Sequence, residues 1–501
     1  MSRTQQSWPR IVIIGGGFGG IAVALELKRQ GIESFTVLEA EAGPGGTWWV
    51  NTYPGSEVDL VSSLYSLAAL NHNWTRTHAT QPEILQYIED VVDRFDLRRH
   101  FRFNTRVRDV VWSEVEQQYH LTTEDGQEST AQIVVSAVGT LSDPKPLDWP
   151  GVDSFRGRIL HSQRWDHSLD LTGKRVAVIG VGSTASQIVP AIAPIVERLT
   201  IFQREPGWVL PKNARDYTPR EMRTYSSIWR RRWRRLKGFV RIEWAHQHNH
   251  VAVIGSKRAV KAERAARAYI GRVFADRPDL KEKVTPKYVF SGKRRVVSDD
   301  YYPALLRDNV ELVDEPVAAF TETGIVTADG NEHPVDVVVA AIGYKASEYL
   351  SSIQVTGRDG LRLRDVWKEA AYAFYGLAVP GFPNLFIVYG PNTNGGGPIT
   401  TMMERQADFI AAEVKRIARR HYTAVEVSSE ATEEFRAWMQ NRLKDTAWAR
   451  GNNYFKAPNG QIVTQWLDGS VYYGWLIRSK RKKAMIGTRG ARKARTPEAD
   501  G

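Results

Sequence analysis

The sequence predicts an α/β protein built on two Rossmann-like units, the first discontinuous and the second carrying a helical insertion. Three observations carry this expectation. Glycine-rich turns at Gly15 and Gly180 each follow a short apolar run and open a helical pattern. Each unit is closed by a further, mostly apolar run that ends at a glycine, Ile133 to Gly139 in the first and Val335 to Gly343 in the second. Between them, residues 211–290 lack strand patterning and read as helices.

Ile11-Val12-Ile13-Ile14 is apolar throughout, as a parallel strand buried on both faces must be. Gly15, Gly17 and Gly20 then form G-x-G-x-x-G, with Phe18 inside the turn, and a helical pattern runs from Ile21 to Lys28. The first glycine permits the tight turn, the second lets backbone approach a pyrophosphate, and the third lets helix and strand pack closely. The helix N-terminus then faces the phosphates. Phe35 to Glu39 is the second strand, and Glu39 lies 19 residues past Gly20. That is the position from which a carboxylate accepts hydrogen bonds from a ribose 2′-hydroxyl.

Gly45-Gly46-Thr47-Trp48, Tyr53-Pro54-Gly55 and Asp59 follow, then an amphipathic helix over 81–100 and strands around 101–111 and 119–123. Pro144 to Pro150 reads as a linker. Phe155-x-Gly157-x-x-x-His161-x-x-x-Trp165-Asp166 lies between the two units and reads as their connection. His161 is expected to bond across that connection rather than to act as a base. Arg175 to Ile179 is the strand of the second unit, and Gly180-Val181-Gly182-Ser183-Thr184-Ala185 is its fingerprint, with alanine in the third place. Arg204 stands 19 residues past Ala185, where the first unit has its glutamate. Arginine pairs with a 2′-phosphate and a carboxylate repels one, so the second nucleotide reads as NADP and the first as one with free ribose hydroxyls. Glu205, next in sequence, works against that preference.

The strand Pro383 to Tyr389 and the helix from about Thr401 return the chain to the first unit. The expected boundaries are 1–145 with 375–477 for the first domain, 151–374 for the second, and 478–501 for a basic, disordered tail.

The chain has 501 residues and a formal net charge of +12. The charge is concentrated: residues 211–250 hold 11 Lys/Arg against 3 Asp/Glu, and residues 478–501 hold 9 against 2. The rest is slightly acidic, which argues against a nucleic-acid-binding fold. Within Ile228 to Lys237, the residues Trp229, Trp233 and Leu236 share a helical face among arginines. The plainer expectation is a surface helix packing its tryptophans onto the domain; contact with a membrane surface or an anionic partner is the alternative. The chain has no cysteine, which removes disulfides, thiolate metal sites and dithiol redox chemistry. No apolar run approaches the roughly 18 residues of a membrane span. A strand at Ile11 leaves no room for a cleaved secretion signal. The expectation is a cytoplasmic protein without integral membrane association, and without a metal.

Two motifs carry a resemblance. Gly45-Gly46-x-Trp48-x-x-x-x-Tyr53-Pro54-Gly55-x-x-x-Asp59 and the Phe155–Asp166 stretch both resemble signatures of the type I Baeyer–Villiger monooxygenases, which are flavin-dependent class B monooxygenases. The stretch from Asn453-Tyr454-Phe455-Lys456 to Gln465-Trp466 is similar to the branch that includes the hydroxyacetophenone monooxygenases. The resemblance implies an FAD domain, an NADP domain and conversion of ketones to esters or lactones with NADPH and O2, through a C4a-peroxyflavin. By the same match Thr47, Trp48, Asp59, Tyr65 and Val107 would contact FAD. Val181 to Gln187, with Ser183 and Thr184 foremost, would line the NADP pyrophosphate. Lys293 would help hold the NADP phosphate, Arg294 would contact NADP and be the active-site cation, and Asp59 would position that arginine and the nicotinamide. Arginine suits that role because it stays protonated and presents several donors. The competing classes are a flavin-containing monooxygenase acting on sulfur or nitrogen, and a non-oxygenating NAD(P)H oxidoreductase.

Overall fold

The computed structural model describes residues 8–248, 250–395 and 397–489. The first unit opens with β1 (Ile11–Ile14), α1 (Phe18–Arg29) and β2 (Phe35–Leu38). A short helix α2 (Thr47–Val50) and an amphipathic helix α3 (Gln81–Arg94) precede β3 (Phe101–Arg102). A meander follows, β4 (Val107–Ser113), β5 (Gln118–Thr123) and β6 (Glu128–Ala131), and then β7 (Ile133–Ser136). Every residue of β1 and β7 is buried, as expected of an all-apolar strand in β1 and of one that is apolar up to its final Ser136 in β7.

The second unit has β8 (Arg158–His161), β9 (Arg175–Ile179), α4 (Ser183–Ile192) and β10 (Arg198–Phe202), then a two-residue strand β11 (Val209–Leu210). The helical insertion is α5 (Pro219–Tyr225), α6 (Ile228–His248), α7 (Lys257–Val273) and α8 (Pro278–Val284). The unit closes with β12 (Val296–Val297), α9 (Tyr301–Ala304), β13 (Val310–Val313), the meander β14 (Val317–Phe320), β15 (Gly324–Thr327) and β16 (Glu332–Pro334), and β17 (Val337–Ala340).

The chain then returns through β18 (Gln354–Thr356), α10 (Leu363–Val366), β19 (Leu385–Ile387) and the long α11 (Ile399–Arg420). It ends in β20 (Ala424–Val427), α12 (Ser429–Leu443), α13 (Ser470–Ala484) and β21 (Met485–Thr488).

The two main sheets have one plan. The first runs β19-β7-β1-β2-β3 and the second β8-β17-β9-β10-β13, all parallel. Each carries an antiparallel meander between its last strand outward and its returning strand. In both, the strand order reverses beside the first strand, which is where an open α/β sheet leaves a crevice at its carboxyl ends.

Three expectations need correction. The Phe155–Asp166 stretch is not simply a connection: Arg158–His161 forms β8, the edge strand that pairs with β17 from Arg158↔Val337 to His161↔Ala340. Phe155 packs edge-on against Phe320, and Trp165 packs on the second core. The return to the first unit comes before residue 375, because β18 pairs with β4 and Tyr349, Leu350 and Ile353 already belong to the first unit's core. Residues 478–489 are ordered structure: α13 continues to Ala484, and β21 pairs antiparallel with β20. Met485 is 3% exposed, which gives this basic segment an apolar anchor. Residues 490–501, the remainder of the expected tail, lie outside the described residues.

Candidate functional site

The first fingerprint forms its turn because Gly15 takes φ +104°, and because a Cβ on Gly20 would stand 1.9 Å from the Gly15 carbonyl oxygen. Only glycine at both positions lets α1 sit this close to β1. Gly17 caps α1 without a side chain to accept from the first amides of the helix, and Gly17 and Phe18 both line a cavity. Gly45 and Gly46, both at positive φ, bring the next loop against Gly17. Glu39 at the end of β2 is 5% exposed, and its carboxylate accepts from the Gly16 amide at 2.5 Å and the Glu41 amide at 2.9 Å. Burial pushes its pKa up against those two donors. Trp48 donates its indole N–H to the Tyr65 hydroxyl at 3.0 Å, and burial pushes that phenol up to about 12.

The second fingerprint repeats the turn at Gly180, φ +114°, against the Ala341 carbonyl. Gly182 caps α4, again without a side-chain partner, and a Cβ there would meet nothing within 4 Å. Ser183 Oγ is buried and has no hydrogen-bond partner among the described residues. An uncapped helix N-terminus with an orphan hydroxyl and empty space above Gly182 fits a bound phosphate. Ala185 is fully buried beneath it. Arg204 lines the cavity and is exposed to it, whereas Glu205 forms an ion pair with Lys293. Lys293 thus has a carboxylate in hand where the resemblance implies a phosphate.

The two fingerprints face one cavity of about 1750 Å³. That exceeds the roughly 300–1,000 Å³ of a pocket for one small ligand. Gly15, Gly17, Phe18, Glu39, Thr47, Trp48, Asp59, Tyr65 and Val107 line it from the first unit. Val181, Gly182, Ser183, Thr184, Gln187, Arg204, Lys293 and Arg294 line it from the second. Gly20, Gly180 and Ala185 lie beneath the lining and shape the turns.

At the seam Arg294 donates through Nη2 to Asp59 Oδ2 at 3.1 Å. Half of the Arg294 side chain is accessible, and that surface opens on the cavity. Burial pulls its pKa down, but Tyr454 and Asp59 outweigh it and hold the guanidinium above its ordinary range. Asp59 in turn accepts from Gln187 Nε2 at 3.4 Å. The same Gln187 donates to the Glu57 carbonyl at 2.9 Å and accepts from the Tyr53 hydroxyl at 2.9 Å. Gln187 is therefore a brace from α4 to the Tyr53–Asp59 loop, with little of its amide left for a nucleotide.

Other contacts across the seam were not legible as functional residues. His167 Nε2 meets Thr52 Oγ1 at 2.9 Å, Tyr344 donates to Asn51 Oδ1 at 2.8 Å, and the buried Lys212 pairs with Glu57 at 2.6 Å. His161 itself does not bond across. Its Nδ1 accepts from the Gln163 amide at 3.2 Å, its Nε2 is buried without a partner among the described residues, and burial pulls its pKa down. Asp166 holds Arg158 and Ser168 within its own segment. The bridging histidine is His167, one residue past the motif.

The helical insertion corrects a further expectation. The tryptophans of α6 do not pack onto the domain: Trp229 is 73% exposed and Trp233 67%.

A family model described as pyridine nucleotide-disulphide oxidoreductase matches residues 12–232. Its dithiol chemistry has no counterpart in a chain without cysteine. A Baeyer-Villiger monooxygenase of Pseudomonas aeruginosa is 36% identical over 469 residues, covering 91% of this chain and 87% of that one. Among solved structures, a closed form of cyclohexanone monooxygenase matches with a TM-score of 0.85 at 31% identity, covering 96% of this chain and 99% of that one. An oxidised steroid monooxygenase bound to NADP matches with a TM-score of 0.84 at 29% identity, covering 97% and 100%.

Proposed function

The chain belongs to the Baeyer–Villiger monooxygenase family, and from that premise we propose how its residues do the work. It is an FAD-dependent enzyme that uses NADPH and O2 to convert ketones to esters, or to lactones where the ketone is cyclic. When bound, FAD supplies the redox and oxygen chemistry and NADPH the hydride. The single observation that carries the assignment of roles is the Arg294–Asp59 pair, set in a cavity that both fingerprints line.

The first fingerprint would hold the FAD pyrophosphate on the amides of α1, with Glu39 turned toward the ribose. The second would hold the NADP pyrophosphate on the amides of α4 and the Ser183 hydroxyl, with Arg204 toward the 2′-phosphate. Arg294 would stabilise the negative charge that develops on the ketone oxygen as its carbonyl is attacked, which is the largest service a preorganised cation offers. Asp59 would fix the guanidinium in place. The Tyr53–Gln187–Asp59 hydrogen bonds tie that position to α4, so the same chain that registers the second nucleotide also aims the cation.

The Asn453–Trp466 stretch supports the branch that includes the hydroxyacetophenone monooxygenases, and hence aryl ketones as the first substrates to try. Tyr454 lines the cavity beside Arg294, with its ring centre 4.6 Å from that of Phe455 and the two planes tilted by 58°, so an aromatic side chain stands there.

The test is turnover of the yellow holoenzyme with NADPH and air on cyclic, aryl and steroid ketones and on a thioether, with products identified by mass. Ester or lactone from at least one ketone is expected. Sulfoxide with no ester from any ketone would overturn the reading.

A further inference from the structure

Helix α6 carries its charge and its apolar surface the opposite way round from a helix packed on a core. Its inner side is polar. Arg231 donates to the carbonyls of Tyr225 and Ser226, and Arg235 to the carbonyls of Ser66 and Leu67. The Arg234 guanidinium lies 4.3 Å from the ring centre of Tyr225 and 4.6 Å from that of Tyr217. Glu243 accepts from the amides of Ser470 and Val471 at the start of α13. At Gly238 the helix comes close enough that a Cβ would stand 3.4 Å from the Leu64 methyls.

The outer side is apolar. Trp229, Trp233, Leu236, Val240 and Trp244 recur at helical spacing and are 73, 67, 51, 56 and 60% exposed. They form one stripe about 22 Å long. Arg230, Arg232, Lys237 and Arg241 flank it, all exposed, and none pairs with a carboxylate among the described residues. Where Glu243 fastens α6 to α13, Val471 and Trp475 are likewise exposed, at 53 and 60%, followed by exposed Lys480, Lys482 and Lys483.

Tryptophans held in water by a helix that turns Arg231, Arg234 and Arg235 inward mark a contact surface. We propose that α6, with Val471 and Trp475 of α13, seats the enzyme on the surface of an anionic lipid bilayer. Indoles and aliphatic side chains enter the boundary between headgroups and acyl chains, and the flanking arginines and lysine pair with the headgroup phosphates. The charge selects the occupant. A second copy of the chain would set this cationic face against its like, whereas an anionic bilayer complements it. The stripe is a single convex helix face with no groove to receive a peptide.

The seat adjoins the cavity. The inner face of α6 packs on Leu64 and Ser66, next to the lining residue Tyr65, and on Gly397, whose Cβ would meet Glu243 at 3.2 Å, near the lining residues Asn394 and Ile399. The bilayer-facing stripe and the contacts beside the cavity lining thus lie on opposite faces of one helix.

The experiment uses the full-length holoenzyme and sucrose-loaded vesicles of phosphatidylcholine, with and without phosphatidylglycerol. Sedimentation with the anionic vesicles at low salt is expected, together with a blue shift of tryptophan emission and release at high salt. A variant with Trp229→Ala, Trp233→Ala and Trp244→Ala, and a second with Arg230→Glu, Arg232→Glu and Arg241→Glu, should each bind about tenfold more weakly. Both should turn over a water-soluble ketone at the wild-type rate, so failure here is separable from failure of the proposed reaction. No sedimentation with anionic vesicles at low salt overturns the proposal. So does undiminished binding by the tryptophan variant, which would credit the cationic side chains alone. So does a solution dimer that the tryptophan variant turns monomeric with no binding to vesicles.

Discussion

The two halves of this molecule share a sheet plan and use it differently. In the first sheet the outer strand beyond the returning strand is β19, which follows the unit in sequence; in the second it is β8, which precedes its own unit. At the cofactor end the contrast is sharper. Glu39 is folded in, 5% exposed and held by two amides. Its counterpart Arg204 is exposed to the cavity, and the neighbouring Glu205 is taken up by Lys293. On the proposed reading, the first cradle is set before its nucleotide arrives, whereas the second exchanges the Lys293–Glu205 ion pair for its ligand. A preset site suits a nucleotide that stays, and an exchangeable one suits a nucleotide that comes and goes.

The largest expected effect lies where the two halves meet. Arg294→Ala removes the one cation that Asp59 and Tyr454 hold over the cavity, and ester formation should fall by about 10²–10³-fold, the cost of removing a preorganised charge stabiliser. Flavin reduction by NADPH, followed at its visible absorbance in a stopped-flow mixer, should persist, because both cradles are intact. Retained ester formation would take the chemistry away from the seam and leave the pair a structural bridge.

The next effect separates the cradles themselves. Gly20→Ala drives a Cβ into backbone at 1.9 Å, and nothing flexible stands there to move. It should cost about 3 kcal/mol or more and yield a colourless or insoluble protein. Gly182→Ala meets nothing within 4 Å at an ordinary backbone angle, so it should fold at the wild-type Tm. Its methyl then intrudes on the bound phosphate, and the KM for NADPH should rise severalfold. Equal losses of stability from the two substitutions would erase the distinction between a close-packed first turn and an open second one.

Much of this contrast was legible in the sequence, and what was not has physical reasons. Fingerprints, flanking strands and the acid-versus-arginine difference are local, so spacing alone finds them. Arg294 and Asp59 are 235 residues apart and were reached only through a resemblance. His167, Tyr344 and Gln187 cross the seam to partners over 100 residues away, and no periodicity encodes such a pair. β8 escaped because its four residues, Arg-Ile-Leu-His, include only one buried side chain, so an edge strand here has no apolar alternation to show. The α6 stripe was visible as a stripe, but period gives a face and not its direction. Arginines that cap carbonyls and stack on tyrosines turned the polar side inward.

A pH experiment probes the joint between the halves. His78 is 5% exposed, and burial, aided by the charge of Lys212 from the second half, holds its pKa down at about 4. An unfolded chain titrates its histidines near 6.5. As pH falls below that value the unfolded state takes the proton first, so stability is lost between about pH 6.5 and 4 and the loss levels off below. At pH 5 this one residue should account for about 2 kcal/mol. His78→Gln should therefore flatten the fall in urea-unfolding stability between pH 7 and 5; an unchanged slope would place the acid-sensitive element elsewhere.

The smallest effect tests the exchangeable cradle most directly. Glu205 pairs with Lys293, and the lysine's ammonium also stands 5.1 Å from the centre of the Tyr288 ring, which would keep it beside the cavity if the carboxylate were gone. Glu205→Thr frees that cation and removes a negative charge next to Arg204. A dianionic 2′-phosphate then gains one partner and loses one repulsion, whereas NADH, with a hydroxyl there, gains neither. The pair is partly exposed and its separate worth is small, about 1 kcal/mol or less. The expected result is a fall in the KM for NADPH of roughly fivefold, with the KM for NADH and the kcat for both unchanged. High salt should shrink the difference, because screening weakens the repulsion that the substitution removes. A substitution that leaves the ratio of the two constants where it was would mean that Arg204 alone reads the phosphate. The second cradle would then be as preset as the first.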